Sequence, residues 1–458
     1  MRGLADRLRE IVGAEHVLVD SDSLTKYGVD ALKRGHPADI VVLPANTEEI
    51  SRIAALCNET RTPLVPRGGG TGYTGGAVPV HGGVVVSLER LNRILEIDEL
   101  NLLAVVEPNV ITGDIQDAVE KVGLFYPPDP ASLRQSAIGG NVAECAGGPR
   151  AFKYGVTKQY VLGLEAVLAN GEVIRTGGKV VKNVVGYDLT QLLVGSEGTL
   201  AIITKIILRL VPKPTRQITM RATFPSVRHA VNAVTNLIRA RVVPAALELI
   251  DGDCLDAVAE ALKVRSLAPP GTAALLLLEV DGGDGQVADE ADRVEAAVRA
   301  AGATEFVRAK DESERQELWR VRRELSPSLR MITPLKFNHD VVVPKGRVPE
   351  LFELVEKIKQ EFRLRIPCFG HVGDGNIHVN IMVTPGDDDE IRRAHEAEGV
   401  LFRGTVALEG SISGEHGIGF AKAAYMPMEL TAPTIETMKR VKQAFDPNGI
   451  LNPGKMFP

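Results

Sequence analysis

The sequence lacks the features that mark several common classes of protein. Its four cysteines are far apart, with no CxxC or CxxxC spacing, which excludes a cysteine-ligated iron–sulfur cluster within the chain and gives no disulfide framework. No apolar run is long enough to span a bilayer. The net charge is only −6, so no electrostatic argument favours nucleic acid or a membrane surface as a partner. The charged first residues do not have the pattern of a signal peptide, and we expect a cytoplasmic protein.

What the chain does have is length and a mixed pattern of secondary structure. With 458 residues, 44% of them apolar, it is long enough for two or three domains. Alternating helix and strand patterns predict an α/β or α+β fold. Two prolines in the segment Val211–Thr215 cannot continue a sheet ladder, so we place a domain boundary there. Beyond it, repeated strand–helix units predict an antiparallel sheet of the ferredoxin-like type, with helices on one face.

The first candidate site is the glycine-rich run Pro66-Arg-Gly-Gly-Gly-Thr-Gly-Tyr-Thr-Gly-Gly76. Glycine lets backbone amides approach phosphate oxygens, so the run suits a phosphorylated cofactor, with a plain surface loop as the alternative. A Walker loop is excluded because no GK[ST] follows. Gly70, Gly72 and Gly75 fit GxGxxG by letter, but Gly76–Val86 has the pattern of loop and strand, whereas the dinucleotide fingerprint opens a helix. Nicotinamide binding is therefore not expected.

The second candidate site is His371-Val-Gly-Asp-Gly-Asn-Ile-His378, followed by Gly414-Glu-His-Gly-Ile-Gly419. The residues between the two histidines are typical of a turn, which places His371 before the turn and His378 in a strand. The strand period puts His378 and Asn380 on the same face. Two histidines and a carboxylate form a recognised set for Zn²⁺, Mn²⁺ or Fe²⁺, and a hydrogen-bonded polar cluster is the equal alternative.

Motifs in a fixed order make the sequence similar to a known family. PRGGGTGYTGG, PPDP, IGGNVAECAGG, KYG and GSEGTLAIIT resemble the FAD-domain signatures of the vanillyl-alcohol-oxidase-type (PCMH-type) flavoproteins. HVGDGNIH, GSISGEHGIG and the terminal NPGK resemble the D-2-hydroxyacid dehydrogenase branch, which includes the FAD-linked subunit of glycolate oxidase and the D-lactate and D-2-hydroxyglutarate dehydrogenases. The resemblance extends from about Ile40 to the C terminus.

The resemblance implies an α+β fold with three parts. These are a two-part PCMH-type FAD-binding domain (1–214), a ferredoxin-like antiparallel-sheet substrate or cap domain (215–424), and a C-terminal helical segment (425–458) that returns to the FAD domain. Covalently flavinylated relatives carry a histidine in the glycine loop, and this loop has none, so we expect non-covalent FAD. The residues implied to bind FAD are Pro66, Arg67, Gly68, Gly69, Gly70, Thr71, Gly72, Tyr73, Thr74, Gly76, Ala77, Pro128, Asp129, Ser136, Gly140, Asn141, Ala143, Gly147, Gly148, Tyr154, Gly155, Glu197, Gly198, Ile203 and Asn452.

The resemblance also implies a reaction centre. The residues implied to act on the substrate are His416, Arg322, Asn380, Lys336 and Ser326, and those implied to bind a divalent metal, zinc or manganese, are His371, His378 and Glu415. His416 corresponds to the general base, and the planar guanidinium of Arg322 suits the substrate carboxylate. Arg322 and Ser326 are one helical turn apart, and we expect Pro327 to interrupt their helix. A solvated basic face is the alternative for this stretch.

The implied reaction is FAD-dependent oxidation of a D-2-hydroxy acid to the 2-oxo acid. Hydride would pass to flavin N5 and electrons to an external acceptor. Glycolate, D-lactate and D-2-hydroxyglutarate share the reacting group, so the sequence does not choose among them. The alternatives are a flavin-bearing electron-transfer subunit without independent catalysis and a metallohydrolase with a structural glycine loop. We further expect a homodimer, electron-accepting partner subunits through which the protein is peripheral to a membrane, and no nucleic-acid partner.

Overall fold

The computed structural model describes residues 2–263, 268–333 and 335–458. The helices are α1 (Arg2–Val12), α2 (Ser21–Tyr27), α3 (Thr47–Thr60), α4 (Thr112–Glu120), α5 (Ile138–Glu144), α6 (Ala151–Tyr154), α7 (Leu189–Leu193), α8 (Val227–Arg239), α9 (Gly252–Leu262), α10 (Asp284–Ala300), α11 (Glu312–Ile332), α12 (Val348–Phe362), α13 (Asp388–Ala407), α14 (Met426–Glu429) and α15 (Ala432–Phe445). The strands are β1 (Val17–Leu18), β2 (Ile40–Val42), β3 (Leu64–Arg67), β4 (Val84–Ser87), β5 (Ile94–Asp98), β6 (Leu103–Val106), β7 (Leu124–Phe125), β8 (Val161–Val167), β9 (Val173–Gly177), β10 (Ile202–Arg209), β11 (Val211–Pro212), β12 (Arg216–Phe224), β13 (Ala246–Asp251), β14 (Ala274–Gly282), β15 (Glu305–Arg308), β16 (Leu335–Val342), β17 (Cys368–His371) and β18 (Asn376–Val383). Among the helices described, none has both the length and the apolar character that crossing a membrane requires.

The chain folds into two compact units. The first unit is Met1–Gly147, Val156–Lys213 and Glu415–Pro458. The second unit is Gly148–Gly155 and Pro214–Gly414. These units are defined by packing. The functional domain boundaries expected from the sequence, at 214/215 and 424/425, stay a prediction.

The first unit contains a mixed sheet, in which β1 is antiparallel to β2, with an apolar cluster on each face. Within the described residues its strands have the order β1-β2-β4-β3, and β4 pairs in parallel with β2 and β3. Val84 and Val86 pack in one apolar cluster with Ile50 and Ile53 of α3, whereas Val85 belongs to a second cluster. Alternate residues of β4 therefore enter different cores, which explains why its three successive valines, Val84–Val86, are all apolar.

Local sequence fixes the helix that leads to the glycine loop. The side-chain oxygen of Asn46 accepts a hydrogen bond from the backbone of Glu49 at 2.9 Å, and Glu49 reaches back to the backbone of Ala45 at 2.7 Å. This reciprocal capping begins α3. Arg61, in the left-handed region at φ 51°, ends it. The chain then enters β3, and β3 leads into the glycine-rich run.

One local prediction in the first unit is confirmed. Between β3 and β4 the described backbone contains no helix, so the run at Gly68–Gly76 is not a dinucleotide fingerprint. The Asn170–Gly171 pair closes a hairpin in which β8 and β9 are antiparallel, with Val167 opposite Val173. This hairpin lies at one edge of a second sheet, of order β5-β6-β10-β8-β9, and the short strands β7 and β11 form a separate pair.

The described strands of the second unit form one antiparallel sheet, as predicted. Its order is β15-β12-β14-β13-β17-β18-β16. The prediction of helices on one face was wrong, because helices cover both. On one face, Leu329 of α11 shares an apolar cluster with Phe369. On the other face, Oε1 of Glu398 in α13 lies 3.5 Å from Nε2 of His339. Cover on both faces is needed because β13 and β18 are buried at every position.

Helix α11 continues through its proline. It runs unbroken from Glu312 to Ile332 with Pro327 inside, so the predicted interruption was wrong. Proline removes one backbone hydrogen bond, but tertiary packing stabilises most helices in proteins. Here Leu325 and Leu329, both 0% exposed, flank the proline and are packed in the core. A single helix therefore carries two of the predicted substrate residues, Arg322 and Ser326.

Candidate active site

The glycine-rich run and the start of α5 form two adjacent walls within the first unit. A Cβ atom on Gly69 would lie only 2.7 Å from the carbonyl oxygen of Gln135, and one on Gly68 would lie 3.2 Å from the side chain of Ala137. The approach at Gly69 requires glycine, and the approach at Gly68 leaves little room for a side chain. In contrast, a Cβ atom on Gly72 or Gly140 would meet no described atom within 4 Å. The walls therefore touch at one point and border open space at another.

Two polar groups in these walls suit an anionic cofactor. Among the described residues, the buried Nη1 of Arg67 and the buried Oγ of Ser136 have no hydrogen-bond partner. Such orphaned donors are rare in folded proteins, and they suit phosphate oxygens. Burial lowers the pKa of Arg67, but a guanidinium remains charged at neutral pH. The residues present thus fit the pyrophosphate of FAD.

Other residues predicted to bind FAD tie the glycine loop to the C-terminal segment of the same unit. The carboxylate of Glu197 accepts hydrogen bonds from the backbone amides of Ile418 and Gly419, each at 2.7 Å. The side-chain nitrogen of Asn452 donates to the carbonyl oxygens of Gly76 and Glu197, at 2.8 and 2.7 Å. Burial raises the pKa of Glu197, against the effect of the two amides. Glu197 and Asn452 therefore hold the loop in place.

The structure distributes the remaining cofactor candidates between the two units. Pro66 packs under Gly198, where a Cβ atom would lie 2.6 Å from the proline ring. Asn141 donates to Thr112 Oγ1 at 2.6 Å. Tyr154 belongs to the second unit, where its hydroxyl donates to Asp281 at 2.8 Å. Gly148 and Gly155 also lie in the second unit, and the first unit holds Gly70, Thr71, Tyr73, Thr74, Ala77, Pro128, Asp129, Ala143, Gly147 and Ile203.

His416, the predicted base, lies beside the glycine loop in the first unit. Its ring centroid is 5.2 Å from that of Tyr73. Its backbone oxygen accepts a hydrogen bond from Thr74 Oγ1 at 3.0 Å. The neighbouring Glu415 reaches Gly147, on which a Cβ atom would lie 2.9 Å from Glu415 Oε2. The sequence Glu415–His416 is thus anchored to residues that we predict to bind FAD.

In the second unit, the two histidines lie on a β-hairpin. His371 ends β17, a tight turn follows, and His378 lies in β18. The predicted positions of both histidines are confirmed. Their ring centroids are 5.3 Å apart, and each offers a nitrogen within 4.8 Å of the other's. The hairpin thus converts a separation of seven residues in sequence into a pair of imidazoles that could share one ion.

A buried carboxylate connects one of these histidines to the predicted substrate arginine. Glu248 of β13 is 0% exposed, and its Oε1 lies 2.5 Å from His371 Nδ1. Its Oε2 accepts a hydrogen bond from Arg322 Nε. Burial alone would raise the pKa of Glu248, but His371 and Arg322 outweigh it and lower the pKa to about 2. The guanidinium of Arg322 also lies over the ring of Phe369, 4.8 Å from its centroid.

The three other predicted substrate residues lie together in the same unit. Lys336 Nζ is 3.1 Å from Asn380 Oδ1 and 3.4 Å from Ser326 Oγ. Asn380 is 0% exposed and also donates to the carbonyl oxygen of His378 at 3.2 Å. Burial, together with the smaller effect of the positive charge of Arg330, lowers the pKa of Lys336 to about 8. The alternative of a solvated basic face does not describe this partly buried cluster.

Sequence reasoning missed two residues of this site, Glu248 and Phe369. Glu248 had a signal: it is a charged residue in the otherwise apolar strand segment Ala246–Ile250. Phe369 had none, because an aromatic residue in a buried strand is ordinary core. Its ring lies against the guanidinium of Arg322, and its centroid is 5.1 Å from that of the His378 ring.

The donor set fits a divalent metal. A carboxylate that accepts from Nδ1 of a histidine keeps the proton on that nitrogen and leaves Nε2 with its lone pair. Glu248 does this for His371. Neutral imidazole nitrogens are ligands of zinc and manganese. The residues present therefore suit the predicted ion, which stays a proposal.

Comparison with known proteins is consistent with this geometry. The family described as FAD linked oxidases, C-terminal domain, matches residues 213–456, and the family described as FAD binding domain matches residues 38–177. Among solved structures, p-cresol methylhydroxylase with bound substrate has a TM-score of 0.82 at 20% identity, over 99% of this chain and 96% of that chain. The 4-ethylphenol oxidase from Gulosibacter chungangensis has a TM-score of 0.81 at 21% identity, over 100% and 97%. The PCMH-type fold is thereby confirmed.

Relatives of known name cover almost the whole chain. Glycolate oxidase subunit GlcD of Bacillus subtilis is 42% identical over 457 residues, which is 100% of this chain and 97% of the relative. D-2-hydroxyglutarate dehydrogenase of Stutzerimonas stutzeri is 35% identical, over 99% and 98%. D-lactate dehydrogenase of Archaeoglobus fulgidus is 37% identical, over 91% of each chain. The chain therefore belongs to the family of FAD-linked oxidases that includes glycolate oxidase subunit GlcD and the D-lactate and D-2-hydroxyglutarate dehydrogenases.

Proposed function

We propose that this protein oxidises a D-2-hydroxy acid to the 2-oxo acid with FAD and passes the electrons to an external acceptor. The observation that supports this most is the polar face of the sheet in the second unit. There, two imidazoles of the sheet lie with two cationic side chains, Lys336 of β16 and Arg322 of the overlying helix α11. The acids in the names of the relatives, glycolate, D-lactate and D-2-hydroxyglutarate, share a hydroxyl beside a carboxylate.

We propose that Arg322 binds the carboxylate of the substrate. Among its described contacts, the bond to Glu248 uses Nε, which leaves the two terminal nitrogens for a paired interaction with a carboxylate. Its position is fixed by that bond and by Phe369. Lys336 supplies a second positive charge, held by Asn380 and Ser326. A site with two ordered cations suits a small organic anion.

We assign the divalent metal, zinc or manganese, to His371, His378 and Glu415. Such an ion, when bound, would polarise the substrate hydroxyl and lower its pKa. The assignment of Glu415 is supported by the residue before it. The backbone nitrogen of Gly414 donates to Asp340 at 2.8 Å, and Asp340 stands opposite His378 in the β16–β18 register. The chain is thus fixed beside His378 one residue before Glu415.

We propose that His416 is the base that removes the proton of the substrate hydroxyl. An imidazole suits this task because its ordinary pKa is close to neutrality. Its location beside Tyr73 and Thr74 of the glycine loop supports a role next to the flavin. FAD, when bound, supplies the N5 position that accepts the substrate hydride. We propose that FAD is held non-covalently by the glycine loop and the start of α5.

The partners and location of the protein are further proposals. A relative is named as a subunit of glycolate oxidase, which supports electron-accepting partner subunits. A homodimer and a cytoplasmic location, with contact to a membrane through a partner, remain predictions that sedimentation and cell fractionation test. An electron-transfer subunit without its own catalysis is less well supported, because the substrate residues form an ordered cluster around Glu248 and Asn380.

Product analysis tests the proposal. The purified protein, supplied with FAD, Mn²⁺ or Zn²⁺ and an artificial electron acceptor, is incubated separately with glycolate, D-lactate, L-lactate and D-2-hydroxyglutarate. We expect the 2-oxo acid of at least one achiral or D acid, identified by mass spectrometry, and none from L-lactate. Absence of a 2-oxo acid from every candidate would contradict the proposal.

A further inference from the structure

Glu248 is the only charged residue in the stretch Ala246–Ile250, and the whole of β13 is buried. A carboxylate in such a place carries a large desolvation cost, and a well-packed apolar side chain would avoid that cost. Packing of the sheet therefore gives no reason for glutamate at this position. The reason must lie in what its two oxygens contact.

Each oxygen of Glu248 contacts a different residue of the proposed site. Oε1 lies 2.5 Å from Nδ1 of His371, and Oε2 accepts from Nε of Arg322. These partners come from different elements, the end of β17 and the middle of α11. The carboxylate of Glu248 thus contacts both His371, which we propose binds the metal, and Arg322, which we propose binds the carboxylate of the substrate.

We propose that Glu248 is a positioning residue that orients His371 and Arg322 together for the reaction. This inference rests on the proposed function, which supplies the roles of those two residues. On the histidine side, the carboxylate fixes the tautomer that leaves Nε2 for the ion. On the arginine side, it fixes the plane of the guanidinium, which also lies on the ring of Phe369. Glu248 itself contacts neither ion nor substrate.

A purely structural role predicts something different, and the chain offers a matched control. Glu279 of β14 is another buried carboxylate of the same sheet, 2% exposed. Its Oε2 accepts from Thr219 at 2.6 Å, from Arg315 at 3.1 Å and from Trp319 at 3.1 Å. None of these partners belongs to the proposed site. Glu279→Gln therefore measures what the loss of a buried charge does to this sheet without touching the site.

The experiment compares Glu248→Gln with Glu279→Gln and the wild type, all carrying FAD. The first readout is the affinity for Mn²⁺ and Zn²⁺, measured by competition with a chelator. The second is the apparent dissociation constant for D-lactate and D-2-hydroxyglutarate in anaerobic flavin reduction, separated from the limiting rate. Thermal unfolding of each variant shows that all three are folded at the temperature used.

We expect Glu248→Gln to weaken metal binding by about 10- to 100-fold, as loss of a carboxylate behind a ligating histidine does. The acid's dissociation constant should rise on the order of tenfold, the size of one charge-assisted hydrogen bond. Glu279→Gln should change neither. Metal and acid affinities that stay at wild-type values in Glu248→Gln, or fall equally in both variants, would overturn the positioning role alone. A wild type that binds neither ion would overturn the proposed metal site as well, and it is recognised without any variant.

Discussion

Nζ of Lys336 lies 3.1 Å from Oδ1 of Asn380, on the neighbouring strand β18. The amide oxygen accepts from the amine and so fixes its direction, while the amide nitrogen donates to the carbonyl oxygens of Pro367 and His378. Asn380 thereby connects a cation assigned to the substrate with the strand that carries a histidine assigned to the metal. Substrate binding should depend on the charge of this lysine.

The first prediction concerns pH. Burial lowers the pKa of Lys336 to about 8, below its ordinary value. The amine is charged below this pH and neutral above it, so binding of an anionic acid should weaken as pH rises. We expect kcat/KM to fall by roughly tenfold per pH unit above the pKa. In Lys336→Arg the guanidinium stays charged, and this fall should disappear. An unchanged profile in the arginine variant would assign the pH dependence to another group.

The second prediction concerns the metal ligands. His378→Ala should lose the bound ion. The rate at which the acid reduces the flavin should fall by about 100-fold or more, since the ion would polarise the reacting hydroxyl. His395→Ala is the matched control, because its side chain is 53% exposed on α13 and lies on the other face of the sheet. Metal content by mass spectrometry and anaerobic flavin reduction measure both effects. A His378→Ala protein with full metal content would remove this histidine from the ligand set.

The third prediction concerns the cofactor space. A Cβ atom on Gly140 would meet no described atom within 4 Å, and leucine favours helix over glycine by about 0.5–1 kcal/mol. Gly140→Leu should therefore fold with wild-type or higher thermal stability yet retain little FAD, because the side chain enters the space assigned to the cofactor. Gly178→Leu, at another first-unit glycine with open surroundings, should keep its flavin. A yellow Gly140→Leu protein with full flavin content would place the cofactor elsewhere.

The fourth prediction concerns the base. His416→Ala should keep FAD and metal but slow reduction of the flavin by about 10²- to 10⁴-fold, the usual contribution of a general base. The exposed His81, also in the first unit, supplies the control variant His81→Ala. Stopped-flow absorbance under anaerobic conditions measures the reduction rate. A reduction rate in His416→Ala equal to that of the control would transfer the role of base to another residue.

Much of this account could be predicted from the sequence, since the relevant signals are local. The glycine loop, the hairpin at Asn170–Gly171 and the strand that carries His378 each depend on turn chemistry or on a short repeat. Ordered motifs then identified the family, which the comparisons confirm.

The rest depends on contacts between distant parts of the chain. Glu248 is 74 residues from Arg322 and 123 residues from His371, and no local pattern joins them. The path of α11 through Pro327 is likewise set by tertiary packing of Leu325 and Leu329, which overrides the local preference of proline. Helices cover both faces of the sheet in the second unit because its central strands are buried throughout. In the sequence, such a strand cannot be distinguished from any other short apolar run.

The absorbance spectrum of the purified protein under anaerobic conditions, before and after each candidate acid is added, tests the central claim most directly. The account predicts an oxidised flavin spectrum that bleaches with D-lactate, D-2-hydroxyglutarate or glycolate and that L-lactate and L-2-hydroxyglutarate leave unchanged. A flavin band that none of the acids bleaches, with Mn²⁺ or Zn²⁺ present, would contradict the assigned reaction. A protein that binds no flavin would contradict the assignment of FAD as the cofactor, on which the proposed reaction depends.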